Sequence, residues 1–437
     1  MNVKSPAARS TLLAACLGFL FSAADIVLLI FFQAEVAQAL GVDLQKVRVA
    51  IGVGLLGSAF GGMFFAQLGD RIGRVRTLGL SVLLYSLSTG GMSLVNNLGL
   101  LYALRFLAGV GTGGEWSLGF AMVAEAWPKA GRGARGGLVT AMFNLGTFLA
   151  TCLYQSGLSW RAAFALMLVP GVGVLWLRSH VPETQAWQEL QAARAKGEAG
   201  GPIADPALRE ALSRPSIRAV FRGRLARITW TTTALFAFLN FAFYSFATLF
   251  MQYLQTPATG GGLGLSKSDE LPYQLALNLA ALIGVLGAGA LSDRYGRKVI
   301  FVACAGVGLV GFATLYGVIG RAASAGSPGV PAFLFPAFAL CCLAFGVNGV
   351  LGAWAPELYP THLRTTGPGF AQNLGKGIGG MLGPLLAGKF LPSLGYAVVL
   401  GLPGLFFLIA AMFALRLPRV DGRALSGVEG TGYLDGR

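Results

Sequence analysis

The sequence predicts an all-α polytopic membrane protein, with twelve transmembrane helices in two pseudo-symmetric six-helix bundles. Three observations point there. First, 55% of the 437 residues are hydrophobic and only 12% are charged, too few charges to coat a soluble chain of this length. Second, the apolar residues gather into twelve stretches, each near the roughly 20 residues that a helix needs to cross the hydrocarbon core. Third, two motifs recur at nearly one spacing. Asp70, Arg71, Gly73 and Arg74 fall on Asp293, Arg294, Gly296 and Arg297 at an offset of 223. Glu125, Pro128, Arg132 and Gly137 fall on Glu357, Pro360, Arg364 and Gly369 at an offset of 232. Such a pattern is what a duplicated half produces.

Taken in order, a start carrying Lys4 and Arg9 leads into spans read at 11–32, 49–68, 78–95, 98–121, 136–154 and 162–177. The first is kept as a span rather than a signal peptide because further apolar segments follow it. Six more are read at 229–253, 273–291, 299–320, 331–355, 368–387 and 397–415. This divides the chain into an N-terminal bundle (1–178), a cytoplasmic linker (179–228), a C-terminal bundle (229–418) and a tail (419–437) expected to be disordered. The connection from 178 to 227 carries nine basic and five acidic residues. Its composition suits a tether with one or two short surface helices at 182–213, broken at Gly201-Pro202 and Asp205-Pro206. The 64 glycines have no collagen period and sit among Leu, Phe, Val and Ala, as in close helix packing within a bilayer.

Orientation follows from the basic residues. With the N-terminus inside, Lys46, Arg48, Arg161, Lys267, Arg321 and Lys389 lie outside, Arg105 and Lys376 lie in spans, and the other 25 of the 33 lie inside. Both termini are therefore expected in the cytoplasm. The same parcelling of charge into short loops accounts for the net +15 without a nucleic-acid partner. Cys16, Cys152, Cys304, Cys341 and Cys342 all lie in apolar segments without metal-ligand or redox spacing.

The loop GDRIGRVR (69–76) resembles the signature between the second and third helices of the major facilitator superfamily, and LSDRYGRKV (291–299) resembles its counterpart between the eighth and ninth. The first copy has Ala66 where that pattern has Gly; the second keeps Gly289. RFLAGVGTGGEWSLG (105–119) and PELYPTHLRTTGPG (356–369) resemble segments of the metabolite:proton and the sialate/lactate-type organic-acid symporters. Lactate-type members carry a His followed by Gln-Asp in the seventh helix, and here Phe246 and Leu249-Phe250 take those places. That departure points to a more apolar substrate or an acid of another shape. The fifth helix, 138–150, has Gly146 but no proline, unlike the drug exporters of the superfamily.

Asp25, Arg105, Glu115 and Lys376 fall inside spans, where each costs a few kcal/mol or more unless it faces water or a partner. Asp25 is the expected proton-coupling residue, with an ion pair to Arg105 as its structural alternative. Arg105 is expected to alternate between Asp25 and a substrate carboxylate. Glu115, about 15 Å further along the same helix, is expected either to bind the charged signature loop or to relay protons. Lys376, between Gly375 and Gly377, is expected in the cavity as a carboxylate ligand, the alternative being snorkelling to the surface. Tyr244, Asn240, Asn348, Gln372, Asn373, Asn144 and Asn278 are candidates for the rest of the substrate site. Phe21, Trp116, Phe241, Phe345 and Trp354, with Tyr244, are candidates for its apolar walls.

Asp70 and Asp293 are expected to pair with Arg and cap helix N-termini, while Arg71, Arg74, Arg294 and Arg297 tie the bundles to Glu125 and Glu357. Arg364 completes this gating set. No enzyme motif survives scrutiny: GVGTGG (109–114) lies within a span rather than after a strand, and His180 and His362 lack metal-ligand spacing. No cofactor or metal is expected. The reading is proton-coupled symport of a small monocarboxylate or aromatic acid across a prokaryotic plasma membrane, the inner one in a diderm. A single chain supplies both halves of the pathway, so a monomer suffices. The alternatives are a proton-coupled importer of a sugar or other neutral solute, and a drug or metabolite antiporter.

Overall fold

The computed structural model describes residues 6–127, 131–173, 181–184, 187–189, 191–192, 217–325, 330–331, 333–360 and 363–418. Most of the linker at 179–228 and the tail at 419–437 lie outside the described residues, as do His180 and His362. The first half comprises α1 (Pro6–Leu40), α2 (Leu44–Ile72), α3 (Arg74–Gly91), α4 (Leu98–Ala126), α5 (Arg132–Gln155) and α6 (Trp160–Leu166). The second comprises α7 (Gly223–Gln255), α8 (Lys267–Tyr295), α9 (Arg297–Ala325), α10 in two pieces (Leu334–Ala344 and Val347–Glu357), α11 (Thr366–Gly401) and α12 (Pro403–Arg416).

Among the described residues, nine helices are long and apolar enough to cross a membrane, and the α6 and α12 segments are shorter apolar helices. α4 is the twelfth; Arg105, Glu115 and its glycines dilute its apolar content, and most of its length is buried. Outward faces are apolar too, for example Phe60 and Phe64 one turn apart on α2, both more than half exposed. Large exposed apolar side chains in such rows belong against lipid.

Two spans differ from the sequence expectation. α10 is interrupted at Phe345-Gly346, where the amides of Phe345, Gly346 and Asn348 bond back three residues instead of four. α11 runs past 387, and its backbone leaves helical geometry at Gly395, with φ 73°. The residues after that bend therefore open the last span.

Within the first half, α4 packs on α2, α3 and α1, while α1 packs on α5; in the second, α7 packs on α11 and α12. The halves meet along α2 against α11, and along α5 against α8 and α10. Glycine sets these distances. A Cβ on Gly109 or Gly113 of α4 would collide with the backbone of Gly54 or Ser58 on α2. Thus the GVGTGG run is a helix-packing surface. Gly375 and Gly379 likewise press α11 onto Phe236 and Ala237 of α7, so they serve packing rather than ligand access to Lys376.

Helix starts are capped differently at the two ends of the molecule. Asp43, Asn97, Ser159 and Ser266 cap α2, α4, α6 and α8 from their own N-cap positions. At the other end, three helices take their caps from elsewhere in the chain. Glu183 accepts from the amides of Val75 and Arg76 at the start of α3. Asp293 of α8 accepts from Gly133 and Ala134 of α5, at 2.8 and 3.0 Å. Asp70 of α2 accepts from the Thr366 amide at 3.2 Å and its hydroxyl at 2.6 Å, at the start of α11. The last two caps cross between the halves.

Candidate functional site

Around those caps lies a duplicated charge cluster. Arg74 pairs with Asp70 and Glu125, both at 3.0 Å. Arg297 pairs with Asp293 at 2.7 Å and Glu357 at 3.1 Å. The turns that begin these clusters need Gly73 (φ 111°) and Gly296 (φ 91°), backbone geometry that residues with a Cβ rarely adopt. The motif spacing thus specifies one carboxylate, one glycine turn and one arginine per half. The arginines do not tie the bundles together as expected: Arg74 to Glu125 and Arg297 to Glu357 each join helices of one half. Arg71 and Arg294 are exposed, and the Arg294 guanidinium lies over Tyr295 rather than at Glu357. Within this charge cluster, the crossing contacts among the described residues include the two aspartate caps and Arg132 to Glu357 at 3.5 Å. Arg364 sits half-buried within electrostatic reach of Glu125 and Glu357.

Midway along the helices, Asp25 of α1, Arg105 of α4, and Tyr244 and Lys376 of the second half line one cavity. Its volume is about 10 Å³, room for a single water. Asp25 accepts from Arg105 Nη1 at 3.3 Å and from the Thr89 hydroxyl. Arg105 Nη1 also reaches the Asp25 carbonyl, at 3.4 Å, and its buried Nε–H has no partner among the described residues. Lys376 donates to Ser58 Oγ of α2 at 3.3 Å, bridging the halves. Ile26, Ile30, Ile51 and Leu55 supply apolar wall. The cavity therefore brings together two basic side chains, one carboxylate and unused donor capacity.

Several expected members are absent from it. Asn240, Asn278, Asn348 and Asn373 each donate to a carbonyl about one turn back on their own helix. Gln372 and Asn144 do not line the cavity either. Of the aromatics only Tyr244 does; Trp116 packs edge-on against Phe236, Phe241 lies on Phe406, and Trp354 on Phe301. Phe246 is 1% exposed, among Phe250, Phe312, Phe338 and Phe345. A histidine there would face the apolar core of the second half. Glu115 does not bind the signature loop: both its oxygens are buried with no partner among the described residues.

The sequence reading missed Thr89, Ser58 and Glu183. Thr89 had a signal, since Thr77, Ser81, Tyr85 and Thr89 recur at four-residue spacing along one face of α3.

Comparisons with known proteins agree with this architecture. The family model described as Major Facilitator Superfamily matches residues 14–372. The chain is 28% identical to the niacin transporter NiaP of Acinetobacter baylyi, over 85% of this chain and 84% of that one. It is 29% identical to the 3-(3-hydroxy-phenyl)propionate transporter of Escherichia coli, over 96% and 98%. In fold it is similar to the proton:xylose symporter XylE bound to 6-bromo-6-deoxy-D-glucose, with a TM-score of 0.77 at 20% identity, covering 97% of this chain and 99% of that one. A duplicated bundle, a mirrored charge cluster at one end, a central charged chamber and a family match over most of the chain lead to one conclusion: this protein is a multi-pass membrane transporter, not an enzyme, and belongs to the Major Facilitator Superfamily.

Proposed function

We propose that this transporter carries a small organic anion, most simply an aromatic monocarboxylate, together with a proton. The observation that carries this reading is the excess of cation in the closed chamber: Arg105 and Lys376 against Asp25 alone. A proton arriving on Asp25 removes the partner of Arg105, and a substrate carboxylate then restores balance between the two cations. The apolar walls of Ile26, Ile30, Ile51 and Leu55, with Tyr244, suit an aromatic body. The names of the two relatives, for niacin and for 3-(3-hydroxy-phenyl)propionate, accord with it.

The end bearing the charge clusters is assigned to the cytoplasm from the distribution of Lys and Arg. Both termini and the linker at 179–228 then lie inside a bacterial plasma membrane, and the monomer is the working unit. Substrate and proton enter from outside, the halves rock, and the caps at Asp70 and Asp293 release as the chamber opens inward. One proton with one monoanion moves no net charge. Uptake into proteoliposomes should therefore follow an imposed pH gradient and ignore an imposed potential. Steep dependence on potential at one proton per substrate would refute the scheme.

A further inference from the structure

Glu115 belongs to neither the chamber nor the charge clusters. It sits on α4 ten residues from Arg105 and ten from Glu125, about 15 Å from each along the helix. It is 2% exposed, and neither carboxylate oxygen has a partner among the described residues. α1 makes space for it with Gly18, since a Cβ there would fall on the carboxylate. Gly18 lies seven residues before Asp25 on α1, two turns or about 10 Å towards the charge clusters.

The third wall of this space is α3. Thr89 donates to Asp25. Tyr85, one turn nearer the charge clusters, is fully buried, its hydroxyl unpartnered among the described residues and within electrostatic reach of both Asp25 and Glu115. Gly111 of α4 packs against Tyr85, and Gly114 against Ser81, which fixes Glu115 at the level of this polar row. Two unpartnered buried polar side chains, one of them a carboxylate, thus lie within electrostatic reach of one another inside the first half, and neither lines the cavity between the halves.

We propose that Glu115 is the inner station of a proton path through the core of the first bundle, leading from Asp25 by way of Thr89 and Tyr85. The proposal rests on the proton-coupled reading above and adds a route distinct from that of the substrate. In each passage one O–H bond of protonated Asp25 is lost and one forms on ionised Glu115. The hydroxyls of Thr89 and Tyr85, and a water bridging Tyr85 to Glu115, each accept one proton and release one, so none keeps a charge. Glu115 then gives its proton to water at the cytoplasmic end once the halves have rocked. Asp25, freed of the proton, pairs again with Arg105 and expels the anion.

The test uses purified protein in proteoliposomes, with nicotinate and 3-hydroxyphenylpropionate as probes. Glu115→Gln should slow pH-driven net uptake by roughly tenfold or more while leaving substrate exchange, which moves no net proton, at its wild-type rate. Tyr85→Phe should slow net uptake in the same selective way, and the solvent deuterium isotope effect on net uptake should be altered in both variants. Wild-type net uptake by both variants would overturn the path, and so would an equal loss of exchange and net uptake, which marks a structural role. Asp25→Asn separates the two claims: unchanged pH-driven accumulation by that variant would remove the coupling reading on which the path rests.

Discussion

Asp70 and Thr366 are 296 residues apart in sequence, yet the carboxylate of one accepts both the hydroxyl and the amide of the other. The bond closes α2 of one half onto the start of α11 in the other. Its pseudo-symmetric counterpart, Asp293 on Gly133 and Ala134, closes α8 onto α5. Opening this end strips two helix N-termini of their anionic caps, so the closed arrangement is held by helix electrostatics as well as by individual bonds.

Weakening one cap should shift the conformational balance. A hydrogen bond to a charged group is worth about 1.5–3 kcal/mol, so Thr366→Val should favour the state open at this end by roughly tenfold or more. Spin labels at the exposed positions Arg71 and Arg294 would report it as a larger long-distance population. An unchanged distance distribution would show that the cap does not hold the halves.

The chamber's cations should select for charge. Lys376→Met is expected to weaken transport of a carboxylate by about tenfold or more while barely affecting the matching amide, because a charge-assisted bond is lost only for the anion. Competition between nicotinate and nicotinamide measures the ratio directly. An equal loss for both would place Lys376 in a structural role.

Glycines at helix crossings should tolerate nothing larger. Gly113→Ala puts a methyl group onto the backbone of Ser58 and Gly62, and overpacking of this kind costs about 1–3 kcal/mol. Gly287→Ala on α8 meets nothing within 4 Å and should be neutral or slightly stabilising. Thermal unfolding in detergent distinguishes the two: a clear drop in Tm for the first and none for the second.

Phe246→His tests what the seventh-helix departure means. The side chain lies in an aromatic cluster, so the imidazole would be buried without a partner and stability should fall by a few kcal/mol. Substrate preference should stay the same. A change of preference without a loss of Tm would return this position to the substrate site.

The duplicated architecture was legible because membrane spans are set by length and apolarity, and because both copies of the first motif specify a turn that favours glycine, at Gly73 and Gly296. That Asp25 and Arg105 each need water or a partner was legible from the cost of charge in hydrocarbon, while their being neighbours was what the family resemblance implied. The amides were not, since an Asn on a helix can satisfy itself on its own backbone one turn back, as Asn240 and Asn373 do. The arginines misled for a related reason. The motif says that Arg74 meets a carboxylate, and both Asp70 and Glu125 lie in its own half, whereas the aspartates reach across to backbone amides of the other half, which no side-chain motif marks. The break in α10 carries no proline at Phe345-Gly346 to announce it.

Coupling turns on Asp25 carrying the transported proton, and Asp25→Asn measures that most directly. In proteoliposomes loaded with substrate, the variant should exchange labelled for unlabelled nicotinate or 3-hydroxyphenylpropionate, yet fail to accumulate either above equilibrium when a pH gradient is imposed. Accumulation equal to wild type under that gradient would contradict it.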